Sequence, residues 1–276
     1  MGRAIAATLA TAGHPTVVWN RTPGRGPELD ALGVQRTDSP HAAVERSDVT
    51  ILCVVDYDAC DAILTAARPA LAGRTIVNLT ADTPARARTM ADWCRSHGAS
   101  YIDGAIMTPA PTIGTADASV LYSGDAESWH DHDDVWTTIG GPEWLAGDDG
   151  TAAVFDLSLL DMFWTSLAAF LHATALARAE GVTAGRLLPY ARSMNELVGI
   201  VIEEFAARVD DDHHEGDISS LSSAAAALSH IASAANDHGI DTSTVDGVLT
   251  AARRMIDAGH GDAGFSILID GLTGAR

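Results

Sequence analysis

The chain has 276 residues, enough for two domains and a sizeable core, and 47% of them are hydrophobic, which excludes a disordered polypeptide. Its formal net charge is −20, and all 17 basic residues are arginine, so no clustered cationic surface is on offer to nucleic acid. Three cysteines, Cys53, Cys60 and Cys94, are odd in number and lack CxxC spacing, which fits reduced thiols in a cytoplasmic protein.

Met1 is followed at once by Gly2, Arg3 and an Ala-rich amphipathic stretch, which does not read as a signal peptide. Residues 2–12 predict a helix ended by Gly13, and TVVWN (16–20) a short buried strand. Pro27 to Leu32 suggests a helix stopped by Gly33. Another runs from Ser39 to Ser47, with Ser39 as N-cap and Pro40 in the first turn. VTILCVV (49–55) is a continuous apolar run of the kind buried on both faces of a parallel sheet. A helix over 59–67, a strand over 74–80, a helix over 84–94 and a strand over 100–104 follow; strands at 118–124 and 143–147 close the sheet. Strands alternating with short helices predict a doubly wound α/β domain over residues 1–148.

Such a sheet binds nucleotides at the carboxyl ends of its strands. After the strand TVVWN come Asn20, Arg21, Thr22 and Arg25, where an NAD-binding domain usually places an acidic residue for the ribose 2′-hydroxyl. Asparagine followed by two arginines suits a 2′-phosphate and favours NADP; ordinary surface arginines are the alternative. The glycine-rich fingerprint of a Rossmann domain needs a strand and two glycines ahead of its helix, whereas Gly2 falls where the third glycine belongs. The first, central strand is therefore expected to be missing from the chain, with the natural protein starting about 15 residues upstream.

Residues 151–181 form the longest helix-compatible apolar segment, with apolar side chains on nearly every face and no glycine or proline inside. A helix of roughly 30 residues spans about 45 Å, more than a small domain is wide, so 149–181 reads as an interdomain helix. Asp156, Asp161 and His172 argue against a membrane span. Asp156 shares a helix face with Leu160 and Phe163, which sets a carboxyl group against an apolar wall; the plain alternative is a helix cap. Residues 182–276 are helical by pattern, at 187–209, 218–238, 243–258 and 265–272. Four modest helices cannot cover a long helix that is apolar all round, so a homodimer is expected. WHDHDD (129–134) and His213-His214 lack the spacing of a metal site, and no metal is expected.

Taken in order, MG (1–2), AGHPTVVWNRT (12–22), CVVDYDA (53–59), AGRTIVNLT (72–80), YIDGAIM (101–107), IGTADASVLYSG (113–124), FDLSLLDMFW (155–164) and GHGDAGF (259–265) resemble the NADPH-dependent imine reductases, relatives of the β-hydroxyacid dehydrogenases. The resemblance covers essentially the whole chain. It implies a Rossmann domain, a long interdomain helix and an all-helical domain exchanged between two subunits, with an active site built from both. It further implies that Gly2 ends the fingerprint and that Asn20, Arg21, Thr22 and Arg25 hold the 2′-phosphate of NADPH. Val54, Val55, Asn78 and Thr80 would line the ribose and nicotinamide, and Met107, Phe163 and Trp164 would contact substrate. Asp156 stands where the family carries a proton donor or iminium-orienting group. The related dehydrogenases use a lysine on the interdomain helix, and this chain has no lysine. The expected activity is therefore reduction of hydrophobic, cyclic imines. A β-hydroxyacid-type dehydrogenase with altered acid chemistry and a non-catalytic NADP-binding sensor are the alternatives.

Overall fold

A computed structural model describes residues 1–273 of the chain. They fall into two compact units, Met1–Met162 and the residues from Phe163 onward. The division lies inside one continuous helix.

The first unit opens with α1 (Gly2–Thr11) and β1 (Val17–Val18). A 3-10 turn at Pro27–Leu32 follows, where a helix was expected, and then β2 (Gln35–Arg36). Next come α2 (Pro40–Glu45), β3 (Val49–Leu52), α3 (Tyr57–Ala67), β4 (Thr75–Asn78), α4 (Pro84–Ser96) and β5 (Ser100–Ile106). The unit continues with β6 (Ser119–Gly124), α5 (Ala126–Asp131), α6 (Asp133–Ile139) and β7 (Gly141–Trp144). Helix starts follow local chemistry: the Ser39, Asp56 and Thr83 side chains accept the N–H groups of Ala42, Ala59 and Arg86. β3, β4 and β5 run parallel, and β6 is antiparallel to β5, so the five-stranded sheet is mixed. β1 pairs only with β2, in a separate two-stranded sheet. β1 is thus shorter than the TVVWN run suggested, and β1 and β3 each keep one edge outside any ladder among the described residues.

Two apolar layers sandwich the larger sheet. One packs Tyr57, Leu64, Ile76, Met90 and Tyr101 beneath α3 and α4; the other packs Ile5, Val77, Ile102, Tyr122 and Trp136 beneath α1 and α6. α5 and α6, absent from the sequence expectation, are held by stacked Trp129 and Trp136, with ring centroids 5.3 Å apart and planes 3° from parallel.

α7 (Thr151–Ala179) then leads into α8 (Ala184–Asp210), α9 (Leu221–Asp237), α10 (Ser243–Met255), a π turn at Ile256–His260, a 3-10 turn at Phe265–Ile267 and α11 (Leu268–Thr273). The second unit's core lies among α9, α10 and α11, around Leu221, Leu249, Met255, Ile267 and Leu268. Of α7, only Ala152, Ala153 and Asp156 are buried, and α8 buries none of its residues. By length and composition alone α7 is apolar enough to cross a membrane. Two aspartates and a histidine in 29 residues do not dilute it as far as the sequence reading held.

Candidate active site

Because β3, β4 and β5 are parallel, their carboxyl ends lie along one edge of the sheet, and the residues that follow them gather there: Val54 and Val55, Thr80, and Met107. Val55 is 78% exposed and Val54 38%. The Val54 N–H donates to Thr80 Oγ1 over 3.2 Å, tying the first two turns together. α1 starts at this edge as well: a Cβ on Gly2 would lie 3.5 Å from the Cys53 carbonyl oxygen, so the helix terminus packs against the residue after β3. No side chain caps α1. Its first-turn N–H groups and positive dipole end suit a pyrophosphate.

Asn20, Arg21, Thr22 and Arg25 occupy the exposed loop after β1. Asn20 Nδ2 donates to the Thr22 carbonyl over 2.7 Å, which curls the loop on itself. Arg36, which the sequence reading passed over, fixes the loop from β2 by donating to the carbonyls of Arg25 (2.9 Å) and Gly26 (2.6 Å) while its Nε reaches Asp30 at 2.5 Å. The guanidinium groups of Arg21 and Arg25 therefore stand on a braced turn, and a free helix terminus with two exposed cations is a donor set that fits a phosphorylated dinucleotide.

Asn78, which the resemblance places beside the ribose and nicotinamide, is buried in the sheet. It is 0% exposed, its Oδ1 accepts the Thr80 N–H over 3.0 Å, and its Nδ2 faces Met90 Sδ at 3.3 Å. In the sheet register it stands opposite Asp103 of β5. The side chain therefore braces Thr80 from within the sheet.

The base of α7 is built on the neighbouring ladder of the same sheet, where Asp103 stands opposite Ser123 of β6. Asp103 Oδ2 accepts the Ala153 N–H over 3.0 Å and Ser123 Oγ accepts the Ala152 N–H over 2.9 Å. Two amides of the first turn are thus satisfied by the sheet, and Asp148 Oδ1 accepts the Gly150 N–H just ahead of them. Asp156, five residues into α7, is not the helix cap. It is 6% exposed, its carboxyl group accepts no hydrogen bond among the described residues, and burial raises its pKa above the ordinary aspartate value. Asp103 is also pushed up, to about 7, by burial first, opposed by its bonds from Tyr57 and Ala153 and reinforced by the charges of Asp156 and Asp149.

Phe163 and Trp164, on α7 beyond this unit, are 55% and 63% exposed, with their rings edge-to-face at 5.1 Å. In the second unit, ligand atoms of Asp212, His214 and Asp270 lie within 4.8 Å of one another, a grouping that His213-His214 alone did not reveal. Both carboxylates are exposed, and His214 Nδ1 is engaged by Ser266 Oγ at 2.8 Å.

Comparison with known proteins matches both halves of the chain. Residues 1–147 fit the NAD binding domain of 6-phosphogluconate dehydrogenase, and residues 148–274 the C-terminal domain of NADPH-dependent reductive aminase-like proteins. An NADPH-dependent reductive aminase of Aspergillus oryzae is 31% identical over 98% of this chain and 93% of its own length. An imine reductase from Bacillus cereus superposes with a TM-score of 0.93 at 32% identity, covering 100% of this chain and 96% of that one. A reductive aminase from Aspergillus terreus, solved in complex with NADPH4, cyclohexanone and allyl amine, gives a TM-score of 0.90 at 34% identity over 98% of this chain and 95% of its own.

Proposed function

The chain belongs to the family of NADPH-dependent imine reductases and reductive aminases, and on that premise we propose that it reduces the C=N bond of hydrophobic, cyclic imines, with Asp156 serving the nitrogen. It is an oxidoreductase that uses NADPH. The observation that carries the reading is a buried carboxyl group without a hydrogen-bond donor, on an apolar helix seated over the sheet.

When bound, NADPH supplies the hydride that adds to the imine carbon. The α1 terminus at Gly2 would take its pyrophosphate, and Asn20, Arg21, Thr22 and Arg25 its 2′-phosphate. Val54, Val55 and Thr80 would flank the ribose and nicotinamide, with Asn78 holding Thr80 in place. Burial favours the neutral form of Asp156, the state a donor to a neutral imine needs, while an iminium already formed would lower the Asp156 pKa, so that the proton is released to solvent and an ion pair remains. Met107, Phe163 and Trp164 offer apolar surface to the rest of the substrate. A relative solved with a ketone and an amine supports the neighbouring reading that such a pair also condenses and is reduced here.

The finer architecture follows. Among the described residues β1 and β3 each keep one edge outside any ladder, which leaves room for a further strand between the two sheets. The apolar surface left exposed by α7 and α8, including Leu171, Ile200 and Met194, supports a homodimer with exchanged helical domains, and the three free cysteines fit a cytoplasmic protein.

The test is NADPH oxidation with a small imine such as 2-methylpyrroline, comparing the native chain with Asp156→Asn. A proton donor predicts a loss of turnover of about 10²–10⁴-fold. Unchanged turnover would return Asp156 to a structural role. Oxidation of a 3-hydroxy acid without imine reduction would favour the dehydrogenase reading instead.

A further inference from the structure

We propose that Asp103 is a positioning residue for Asp156, anchoring the first turn of the helix that carries it and adding a second carboxyl group behind the first, so that the pair receives the cationic C=N group. This rests on the reading of Asp156 given above.

Asp103 ends a buried chain of polar groups that starts at the cofactor edge of the sheet. The Val54 N–H meets Thr80 Oγ1 at 3.2 Å, the Thr80 N–H meets Asn78 Oδ1 at 3.0 Å, and the Asn78 side chain faces the Tyr101 hydroxyl. The Tyr101 and Tyr57 hydroxyls lie 3.3 Å apart, and the Tyr57 hydroxyl donates to Asp103 Oδ1 over 3.2 Å. The Ala153 N–H then closes the chain on Asp103 Oδ2. Thr80, Asn78, Tyr101, Tyr57 and Asp103 are all at most 4% exposed, so each has little freedom to trade its partner for water. Asp156 lies one helical turn beyond Ala153, which sets the seat of the candidate catalytic carboxyl by the same contacts that set Val54.

The groups that face Asp103 are few. They are Tyr57 from α3, Tyr101 from its own strand, Asn78 from β4, Asp156 from α7, and Asp149 ahead of α7. Asp149 is engaged by both terminal nitrogens of Arg95 at 2.9 and 2.8 Å, which offsets its charge. Asp156 is thus the one facing carboxylate without a cationic partner, and its charge adds to the burial that pushes Asp103 up. Once Asp156 is ionised, ionisation of Asp103 near pH 7 adds a second negative charge at the first turn of the helix that carries Asp156.

The experiment is calorimetric titration of the NADP⁺-loaded protein with pyrrolidine, a cyclic amine that stays cationic from about pH 6 to about pH 8. In the native protein, amine affinity should rise by about three- to tenfold across that range. Asp103→Asn keeps an oxygen for the Ala153 N–H but removes the charge, and should abolish the rise. Tyr57→Phe removes the hydroxyl that stabilises the Asp103 anion, and should move the rise to higher pH. An unaltered pH profile in Asp103→Asn overturns the proposal; so does an unshifted profile in Tyr57→Phe should the first variant fail to fold. Asp156→Asn separates the two readings, because amine affinity and turnover equal to those of the native protein would remove Asp156, not Asp103 alone, from the site.

Discussion

Replacing Asp103 with asparagine should change how stability depends on pH. In the fold this carboxyl group ionises near 7, against 3.8 for an ordinary aspartate, because it is only 2% exposed and its two hydrogen bonds do not offset the loss of water. Between those values the folded chain holds a proton that the unfolded chain has released, so stability falls as pH rises from about 4 and levels off above about 7. A displacement from 3.8 to about 7 corresponds to about 4 kcal/mol, at 1.36 kcal/mol per pH unit. Asparagine does not titrate, so native and variant stabilities should diverge by about that amount between pH 4 and pH 8, the variant being favoured at the alkaline end. Urea unfolding read from the aromatic signal of the Trp129–Trp136–Trp144 cluster reports on the right unit, since those rings pack in the core of the α/β domain. Parallel pH curves for the two proteins would refute the argument, because carboxylates that do not face Asp103 contribute equally to both.

Arg21→Ala should raise the KM for NADPH by about tenfold and leave that for NADH nearly unchanged, if its guanidinium takes the 2′-phosphate; equal effects on both cofactors would assign it to the loop's own stability. Ser123→Ala should cost about 1 kcal/mol, measured by denaturant unfolding, because it strips the Ala152 N–H of its acceptor in a buried setting.

How far the chain could be read without its structure differs from element to element. Ser39 and Pro40 announced α2, and the length of α7 was visible in its unbroken apolar run, because capping and helix periodicity are local. The pair α5 and α6 was hidden under a stretch rich in histidine and aspartate. Trp129 and Trp136, spaced seven residues apart as on a helix, were the signal that could have found helix there, though not the break at His132 that splits it in two. The place of Asn78 beside the cofactor is what the family resemblance implies, not a reading of its local sequence. Only the register with Asp103 shows that its side chain belongs to the interior. Asp103 itself was on view as an acidic residue inside the apolar run YIDGAIM, but its bond to Ala153 spans 50 positions, and no local pattern reports that. Asp156 stood out for the opposite reason, being a charge placed where the helix pattern calls for an apolar residue.

Helix ends ordinarily fray, and their amides exchange with solvent faster than those of the middle. α7 should behave differently at its start, since the amides of Ala152 and Ala153 are held by side chains of two neighbouring strands rather than by the helix or by water. Freeing them requires parting β5 from β6 or pulling α7 off the sheet, so their hydrogen exchange should follow the opening of the α/β unit as a whole. The protein then has no cheap excursion in which the sheet is intact and Asp156 drifts: the seat of the acid is as durable as the domain beneath it.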